Sequence, residues 1–119
     1  MLHQTYSLRG NDLLQPVYDF VCGHYQQAYE THYPGGYLRL YEDYSFSGGN
    51  DLMVCLRVDI SREKEGIIII EIISGGGSDL MFWNDAGYSE NRRIKHFRNR
   101  LLEFCQQQQI PAPIIGSGS

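Results

Sequence analysis

The fold of this chain is decided by residues 52–74, which read LMVCLRVDISREKEGIIIIEIIS. Apolar residues alternate strictly from Leu52 to Ile60, which predicts a strand with one buried face. The isoleucine-rich part, 66–74, is apolar at both parities and predicts a strand that is covered or central in its sheet. The charged residues between these parts predict a turn, so we expect an antiparallel hairpin.

The register of this hairpin follows from its own pattern, because a slip of one residue would turn every side chain to the opposite face. When Ile60 is placed opposite Ile68, Arg57 faces Glu71 on the outer side of the sheet. Glu71 is the only charge in the isoleucine run, and a cross-strand ion pair with Arg57 accounts for it.

Residues 37–46 predict a further strand of the same meander. Its inner face is expected to carry Leu38, Leu40, Tyr44 and Phe46. In the register that we expect for this hairpin, Leu40 lies opposite Val58 on the inner face, whereas Tyr41 lies opposite Arg57 on the outer face.

One helical segment precedes these strands and another follows them. The first is expected to begin near Asp12 or Gln15 and to end at the YPGG sequence of residues 33–36. Its buried stripe is expected to contain Val17, Phe20, Val21, His24 and Ala28. The last helix is expected to begin with Ser89 as its N-cap. Its buried stripe is expected to contain Ile94, Phe97, Leu101, Phe104 and Cys105.

A short strand near the N-terminus, with Leu2, Tyr6 and Leu8 at one parity, completes the order β-α-β-β-β-(β)-α. The bracketed element is residues 80–83, which we expect to form either a short strand or a packed loop. Antiparallel strands with two helices on one face form an α+β two-layer sandwich. We expect a single domain over 1–109 and a tail over 110–119, in which 116–119 has the composition of an appended linker.

The bulk properties favour a soluble, cytoplasmic protein. The 119 residues suffice for one domain with its own core, and the net charge of −4 disfavours binding to nucleic acid or to an acidic membrane. The N-terminus shows no signal peptide, and no apolar run is long enough to cross a bilayer. Cys22, Cys55 and Cys105 lack the spacing of a zinc site or a disulfide framework, which favours free thiols. We expect no metal and no other cofactor.

The outer face of the sheet is more apolar than a solvated face requires. Beside Arg57 and Glu71 it is expected to carry Met53, Cys55, Ile67, Ile69 and Ile73. A charged ladder alone is ordinary on a solvated sheet, but these apolar neighbours predict an interface, most simply between two copies of the chain. The alternative is that residues 110–115 fold back over this patch.

A carboxylate is the second anomaly. In the expected register Glu42 falls on the inner face, where a bulge or a position at the sheet margin would be the ordinary explanation. The functional alternative is a ligand pocket between helices and sheet, formed by Glu42, Tyr44 and His24. His24 on the core stripe also has an ordinary explanation as a hydrogen-bonded core residue.

The last helix carries a basic cluster, in which Arg92, Arg93, His96 and Arg100 share one solvated arc. Phosphate or nucleic-acid binding would need such a patch. A solvated helix face that pairs with acidic groups is the simpler explanation, and we favour it.

Motifs that would carry catalysis, such as GxSxG or HExxH, are absent from the sequence. We therefore expect a non-catalytic binding or interaction domain that self-associates through its outer sheet face, with a further protein partner as an option. The alternatives are a small-ligand carrier and an anion or nucleic-acid binder. An enzyme is the least supported class.

The sequence also resembles a known family. The residues that carry the resemblance are EDYSFSGGN at 42–50, the strand after it, and SGGGS at 74–78 with Phe82. Over about 37–104 they are similar to a family of small bacterial domains of unknown function. That resemblance implies a compact bacterial cytoplasmic protein and no catalytic residue. The order of elements also resembles one repeat of the TATA-binding-protein fold, an analogy that concerns fold alone.

Overall fold

A computed structural model describes residues 2–23, 29–44, 51–76 and 85–118, with the side chains of 3–23, 29–41, 53–75 and 92–116. The strands are β1 (Leu2–Arg9), β2 (Tyr29–Tyr33), β3 (Gly36–Tyr44), β4 (Asp51–Asp59), β5 (Ile67–Gly76) and β6 (Ile114–Gly118). The helices are α1 (Leu14–Cys22) and α2 (Asp85–Gln107), and a 3₁₀ turn (Glu63–Glu65) joins β4 to β5.

Within the described residues the strands form one antiparallel sheet in the order β2-β3-β4-β5-β1-β6. α1 leads from β1 to the edge strand β2, and α2 leads from β5 to the opposite edge strand β6. Side chains of both helices are buried against the same sheet face, which we call the inner face. The expected α+β two-layer sandwich is confirmed.

The core lies between this inner face and the helices. The sheet contributes Tyr6, Leu8, Val54, Leu56, Val58, Ile68, Ile70 and Ile72, all buried. The predicted stripe of α2 is confirmed, because Ile94, Phe97, Leu101, Phe104 and Cys105 are buried. The helices meet through Phe20 of α1, whose ring centroid lies 4.7 Å from that of Phe104 and 5.7 Å from that of Phe97.

The predicted register of the β4–β5 hairpin is confirmed: Val58 lies opposite Ile70, and Arg57 lies opposite Glu71. The turn between the strands ends at Gly66, whose φ of 78° lies in the left-handed region that favours glycine. Strict alternation in β4 fixed this register, since a slip of one residue would have exposed its entire apolar set.

The predicted register of the β3–β4 hairpin is wrong. Tyr41 lies opposite Val54, and Leu40 lies opposite Cys55, so the two faces of β3 are exchanged relative to the prediction. Tyr37 and Tyr41 are buried on the inner face. The prediction placed Leu38 and Leu40 on the inner face because they are the more apolar residues of β3. In the structure Arg39 lies on that face instead, where partners on β2 and α1 bind its side chain.

The predicted length of the first helix is also wrong. α1 ends at Cys22, with Gly23 as its C-cap, and the chain then forms β2, which pairs with β3 through a turn at residues 34–35. The predicted stripe of the helix extended to Ala28, but β2 has two tyrosines and a threonine among its five residues, a composition that also suits a strand. α2 begins at Asp85, so Ser89 lies inside the helix and is not its N-cap.

The C-terminal segment pairs with the sheet instead of folding over its outer face. Within β6, Ile115 lies opposite Tyr6 and Gly116 lies opposite Thr5 of β1, and Ile114 is 57% exposed. The expected tail therefore contains the last strand of the sheet. The predicted strand or loop at 80–83 lies outside the described residues.

The β2–β3 turn offers a sharp test of the observed register. A Cβ atom at Gly36 would collide with the backbone carbonyl oxygen of Val58 on β4. Gly36→Ala should therefore lower the free energy of unfolding by about 1–3 kcal/mol, measured by urea denaturation.

The neighbouring glycine is the matched control. A Cβ atom at Gly35 would lie 3.9 Å from Ser61 Cβ and 4.0 Å from Tyr33 Cε2, which is ordinary contact. Gly35→Ala should leave stability within about 1 kcal/mol of the wild type. Equal effects of the two substitutions would contradict the observed pairing of β3 with β4.

Candidate functional site

The predicted pocket residues are not brought together on the inner face. Glu42 and Tyr44 lie in β3 opposite Met53 and Asp51, at the same parity as the outward-facing Leu40. The inward placement expected for Glu42 and Tyr44 is therefore wrong at the level of the register. His24 lies outside the described residues, as do the side chains of Glu42 and Tyr44.

The predicted interface residues share one face, on the side of the sheet opposite the helices. We call this face the outer surface; its members on β4 and β5 include the predicted Met53, Cys55, Arg57, Ile67, Ile69, Glu71 and Ile73, together with Asp59 opposite Ile69. Because the faces of β3 are the reverse of those predicted, Leu38 and Leu40 also lie on the outer surface, opposite Arg57 and Cys55. Met53 is 46% exposed, and the isoleucines of this surface are half-buried by their neighbours in the sheet.

An ion pair lies in the middle of the outer surface. Arg57 Nε donates to Glu71 Oε1 at 3.0 Å, and the two side chains are 50% and 15% exposed. His3 Nε2 of β1 lies 3.7 Å from Glu71 Oε2. The carboxylate therefore has a basic neighbour on each side, on the strands that flank β5.

The predicted basic arc lies in the middle of α2. Arg92, His96 and Arg100 are exposed, and Arg93 is half-buried. Arg92, Arg93 and His96 each already interact with another group. This arrangement agrees with the simpler explanation, a solvated helix face with partners.

The structure reveals a second candidate site that the sequence did not predict. Polar side chains from α1, β2 and β3 converge on the inner face beside β2. We call them the inner polar cluster; its members are Tyr18, Cys22, Glu30, His32, Tyr37, Arg39 and Tyr41.

Glu30 joins the three elements of this cluster. Its Oε1 atom accepts a hydrogen bond from Arg39 Nη1. Its Oε2 atom accepts one from the Tyr18 hydroxyl at 2.9 Å and lies 2.6 Å from His32 Nε2. The side chains of Arg39 and Glu30 are 12% and 22% exposed, so this ion pair is largely removed from water.

Arg39 extends the network to α1. Its Nε atom donates to the Tyr41 hydroxyl at 2.8 Å, and its Nη1 atom donates to Cys22 Sγ at 3.2 Å. The Tyr41 hydroxyl in turn donates to the Val21 carbonyl at 3.2 Å. The guanidinium is therefore fixed by groups on all three elements.

Tyr37 lies against the same cluster. Its ring meets that of Tyr18 edge-on with centroids 5.3 Å apart, and the His32 ring lies 5.4 Å away. Burial raises the pKa of the Tyr37 phenol, and Cys22 and Tyr18 raise it further. Within the described part of the chain, the hydroxyl of Tyr37 is buried and has no hydrogen-bond partner.

A signal for this cluster is present in the sequence. The segments Glu30-x-His32 and Tyr37-x-Arg39-x-Tyr41 carry polar or aromatic groups at every second position, which is the strand period. The pattern was missed because the inner face was assigned by hydrophobicity alone. Pairing β2 with β3 places Glu30 directly opposite Arg39.

The three cysteines are free thiols in different surroundings. Burial raises the pKa of Cys105 to about 11. Burial also raises the pKa of Cys55, and the Glu71 carboxylate adds to this effect. Cys22 is half-buried, and Arg39 donates a hydrogen bond to its sulfur.

Two clefts open where β1 ends, away from both sites. One of 140 Å³ lies between residues 9–13 and 108–111, and the other is lined by 9–11 and 65–67. Across the described residues, histidines, cysteines and carboxylates form no group suited to hold a metal ion. None of the helices in that part of the chain is both long and apolar enough to cross a bilayer.

The inner ion pair should matter more for stability than the outer one. Glu30→Gln leaves the Arg39 charge shielded from water without a counter-ion, and should lower the free energy of unfolding by about 2–3 kcal/mol. Glu71→Gln removes the partner of a half-exposed arginine and should cost under about 1 kcal/mol. Urea denaturation at pH 7 measures both, and equal losses would contradict the burial of the inner pair.

Alkaline titration tests the burial of the tyrosines. Burial raises the pKa of Tyr6 to about 12, and burial is also the main cause of the raised pKa values of Tyr37 and Tyr41. The buried, neutral phenols contribute their full stability below the pKa of tyrosine in the unfolded chain, near 10. This contribution is lost as the pH rises through their pKa values in the folded chain.

Tyrosinate absorbance should therefore show fewer ionised phenols in the folded chain than in the urea-unfolded chain at pH 10.5. The urea midpoint should fall as the pH rises from 10 to 12. Tyr6→Phe should weaken this dependence on pH. Coincident titration curves for the folded and unfolded chains would show that these phenols are not shielded.

Comparisons with known proteins give no relative from which a function could be transferred: no protein-family model, no curated protein and no solved structure matches this chain.

Proposed function

We propose that this protein is a binding domain that associates with a second copy of itself through the outer surface. The observation that carries the proposal is that apolar side chains of β3, β4 and β5 lie on the side of the sheet opposite both helices. β6 extends the sheet at its edge and does not cover this surface. Apolar surface is stabilised by removal from water at about 25 cal/mol per Å².

The size of the face suits a dimer. The six strands, at a spacing of about 4.8 Å and with a mean length of about 25 Å, make a face on the order of 700 Å². An interface of standard size buries about 800 Å² on each partner. Sheets that meet face to face lie about 10 Å apart, a distance that side chains such as Ile69 and Met53 fill from both sides.

The charges on the outer surface favour an identical partner. Arg57 and Glu71 lie side by side on β4 and β5, the two middle strands between β3 and β1. A two-fold axis that runs along the strands between β4 and β5 would place each Arg57 over Glu71 of the partner subunit. An axis across the strands would instead bring like charges together. The charge pattern therefore favours one isologous arrangement.

The proposed setting is the cytoplasm of a bacterial cell. Three free thiols support a reducing compartment. The bacterial setting rests on the resemblance of residues 42–50 and 74–78 to small bacterial domains. Association through a sheet face needs no cofactor and no enzymatic activity.

Sedimentation equilibrium at micromolar concentration tests the association. The wild-type chain should sediment as a dimer. Ile69→Glu should raise the dissociation constant at least about 100-fold, because the carboxylate would be desolvated without a partner. Leu14→Glu is the matched control, since Leu14 is 41% exposed on α1, on the other side of the sheet, and it should leave the mass unchanged.

Charge exchange tests the arrangement. Arg57→Glu and Glu71→Arg should each weaken the dimer, and the double variant should restore it because the pattern is then inverted but still complementary. Lys64→Glu, in the exposed β4–β5 turn, is the control. A monomeric wild-type chain, or an Ile69→Glu variant that still sediments as the wild type, would overturn the proposal.

A further inference from the structure

The inner polar cluster contains a thiol in a setting unlike that of the other two cysteines. Cys22 Sγ is within hydrogen-bond distance of a guanidinium that is itself fixed by Glu30 and Tyr41. Cys22 is half-buried and so within reach of a small solute, whereas Cys105 is buried. This combination of access and a fixed cationic donor is typical of reactive cysteines.

The position of Cys22 on its helix makes the role of Arg39 specific. Cys22 is the last residue of α1, where the partial negative charge of the terminal carbonyls opposes negative charge on sulfur. Arg39 reaches this sulfur from β3 and supplies the opposite charge.

A second observation concerns a buried hydroxyl in the same cluster. The Tyr37 side chain is 5% exposed, and its hydroxyl makes no hydrogen bond within the described part of the chain. Tyr37 occupies the inner-face position of β3 next to that of Arg39, and its ring packs edge-on against Tyr18 of α1, so Tyr37 belongs to the same cluster as Cys22. A buried hydroxyl without a partner is unfavourable, and an acceptor placed on the sulfur would give it one.

We propose that Cys22 is a site of reversible oxidation by hydrogen peroxide, with Arg39 and Tyr37 as its supporting groups. The sulfur attacks one peroxide oxygen, the O–O bond breaks, and an S–O bond forms. The sulfur loses two electrons to the peroxide, and the thiol proton leaves with the second oxygen as water. The product is a sulfenic acid, which a cellular thiol can reduce after forming a mixed disulfide.

The supporting groups act at different stages of this reaction. Arg39 stabilises negative charge on the sulfur before the attack, and it donates to the departing oxygen as negative charge develops on that oxygen. Tyr37 donates to the oxygen that the sulfur has gained, which stabilises the sulfenic acid against further reaction. The proposal is independent of self-association, because the inner polar cluster and the outer surface lie on opposite faces of the sheet.

The test uses the full chain with Cys55→Ser and Cys105→Ser, so that Cys22 is the only thiol. Oxidation by hydrogen peroxide is followed by dimedone trapping and intact-mass spectrometry. Cys22 should react at least about tenfold faster in the folded chain than in the urea-unfolded chain, which corresponds to one charge-assisted hydrogen bond. A partly buried thiol without such support would react more slowly when folded, and that result would overturn the proposal.

Two further variants separate the supporting groups. Arg39→Lys keeps the positive charge but loses the planar guanidinium with its several N–H donors, and should slow the oxidation of Cys22 about tenfold. Tyr37→Phe should leave the rate of oxidation unchanged and shorten the lifetime of the sulfenic acid about fivefold, the equivalent of one hydrogen bond. Circular dichroism confirms that each variant is folded. If Arg39→Lys unfolds, the proposal is still tested by the ratio of Cys22 oxidation rates in the folded and unfolded chains and by the lifetime of the sulfenic acid in Tyr37→Phe. A wild-type oxidation rate in Arg39→Lys together with a wild-type lifetime in Tyr37→Phe would contradict the assignment.

Discussion

Isoleucine side chains lie on both faces of β5, and the two helices shield only one of these faces from water. Ile68, Ile70 and Ile72 are buried beneath the helices, while their odd-numbered neighbours, on the face opposite the helices, are half-buried. This asymmetry places the core on one side of the sheet and leaves an apolar surface on the other. The rest of the architecture, including both edge strands, is arranged around that division.

The register and the buried face of each strand could be predicted from the sequence only where the hydrophobic residues of that strand are also its buried residues. In β4 and β5 the apolar alternation fixed the register, the Arg57–Glu71 pairing and the outer surface. In β3 the same rule failed, because Arg39 is shielded from water by partners on β2 and α1. Those partners are distant in sequence, and single-strand alternation does not reveal them. The outer surface was therefore predicted in most of its residues, whereas the inner polar cluster was not predicted at all.

The two ion pairs illustrate different physical roles for charge. Arg57 and Glu71 lie on an accessible face, where water and salt weaken their attraction. Arg39 and Glu30 lie beneath α1, where any slip of β2 along β3 would leave both charges without a partner. The inner pair thus discriminates between registers in a hairpin whose two leucines, Leu38 and Leu40, face outward, and it aligns β2 at the edge of the sheet.

The place of β1 in the sheet has a consequence for synthesis. β1 lies between β5 and β6, and Leu2 is paired with Ser74, so β1 leaves the ribosome well before either of its partner strands. Contacts so distant in sequence close slowly, because the entropy of a long loop is lost before the pairing compensates for it. Until β5 has emerged, β1 has no strand to join. A nascent chain that has just completed β5 then carries an exposed isoleucine run with a single charge, and such a segment is prone to aggregate. Translation speed through the region that follows β5 would therefore influence how much of this protein reaches its folded state.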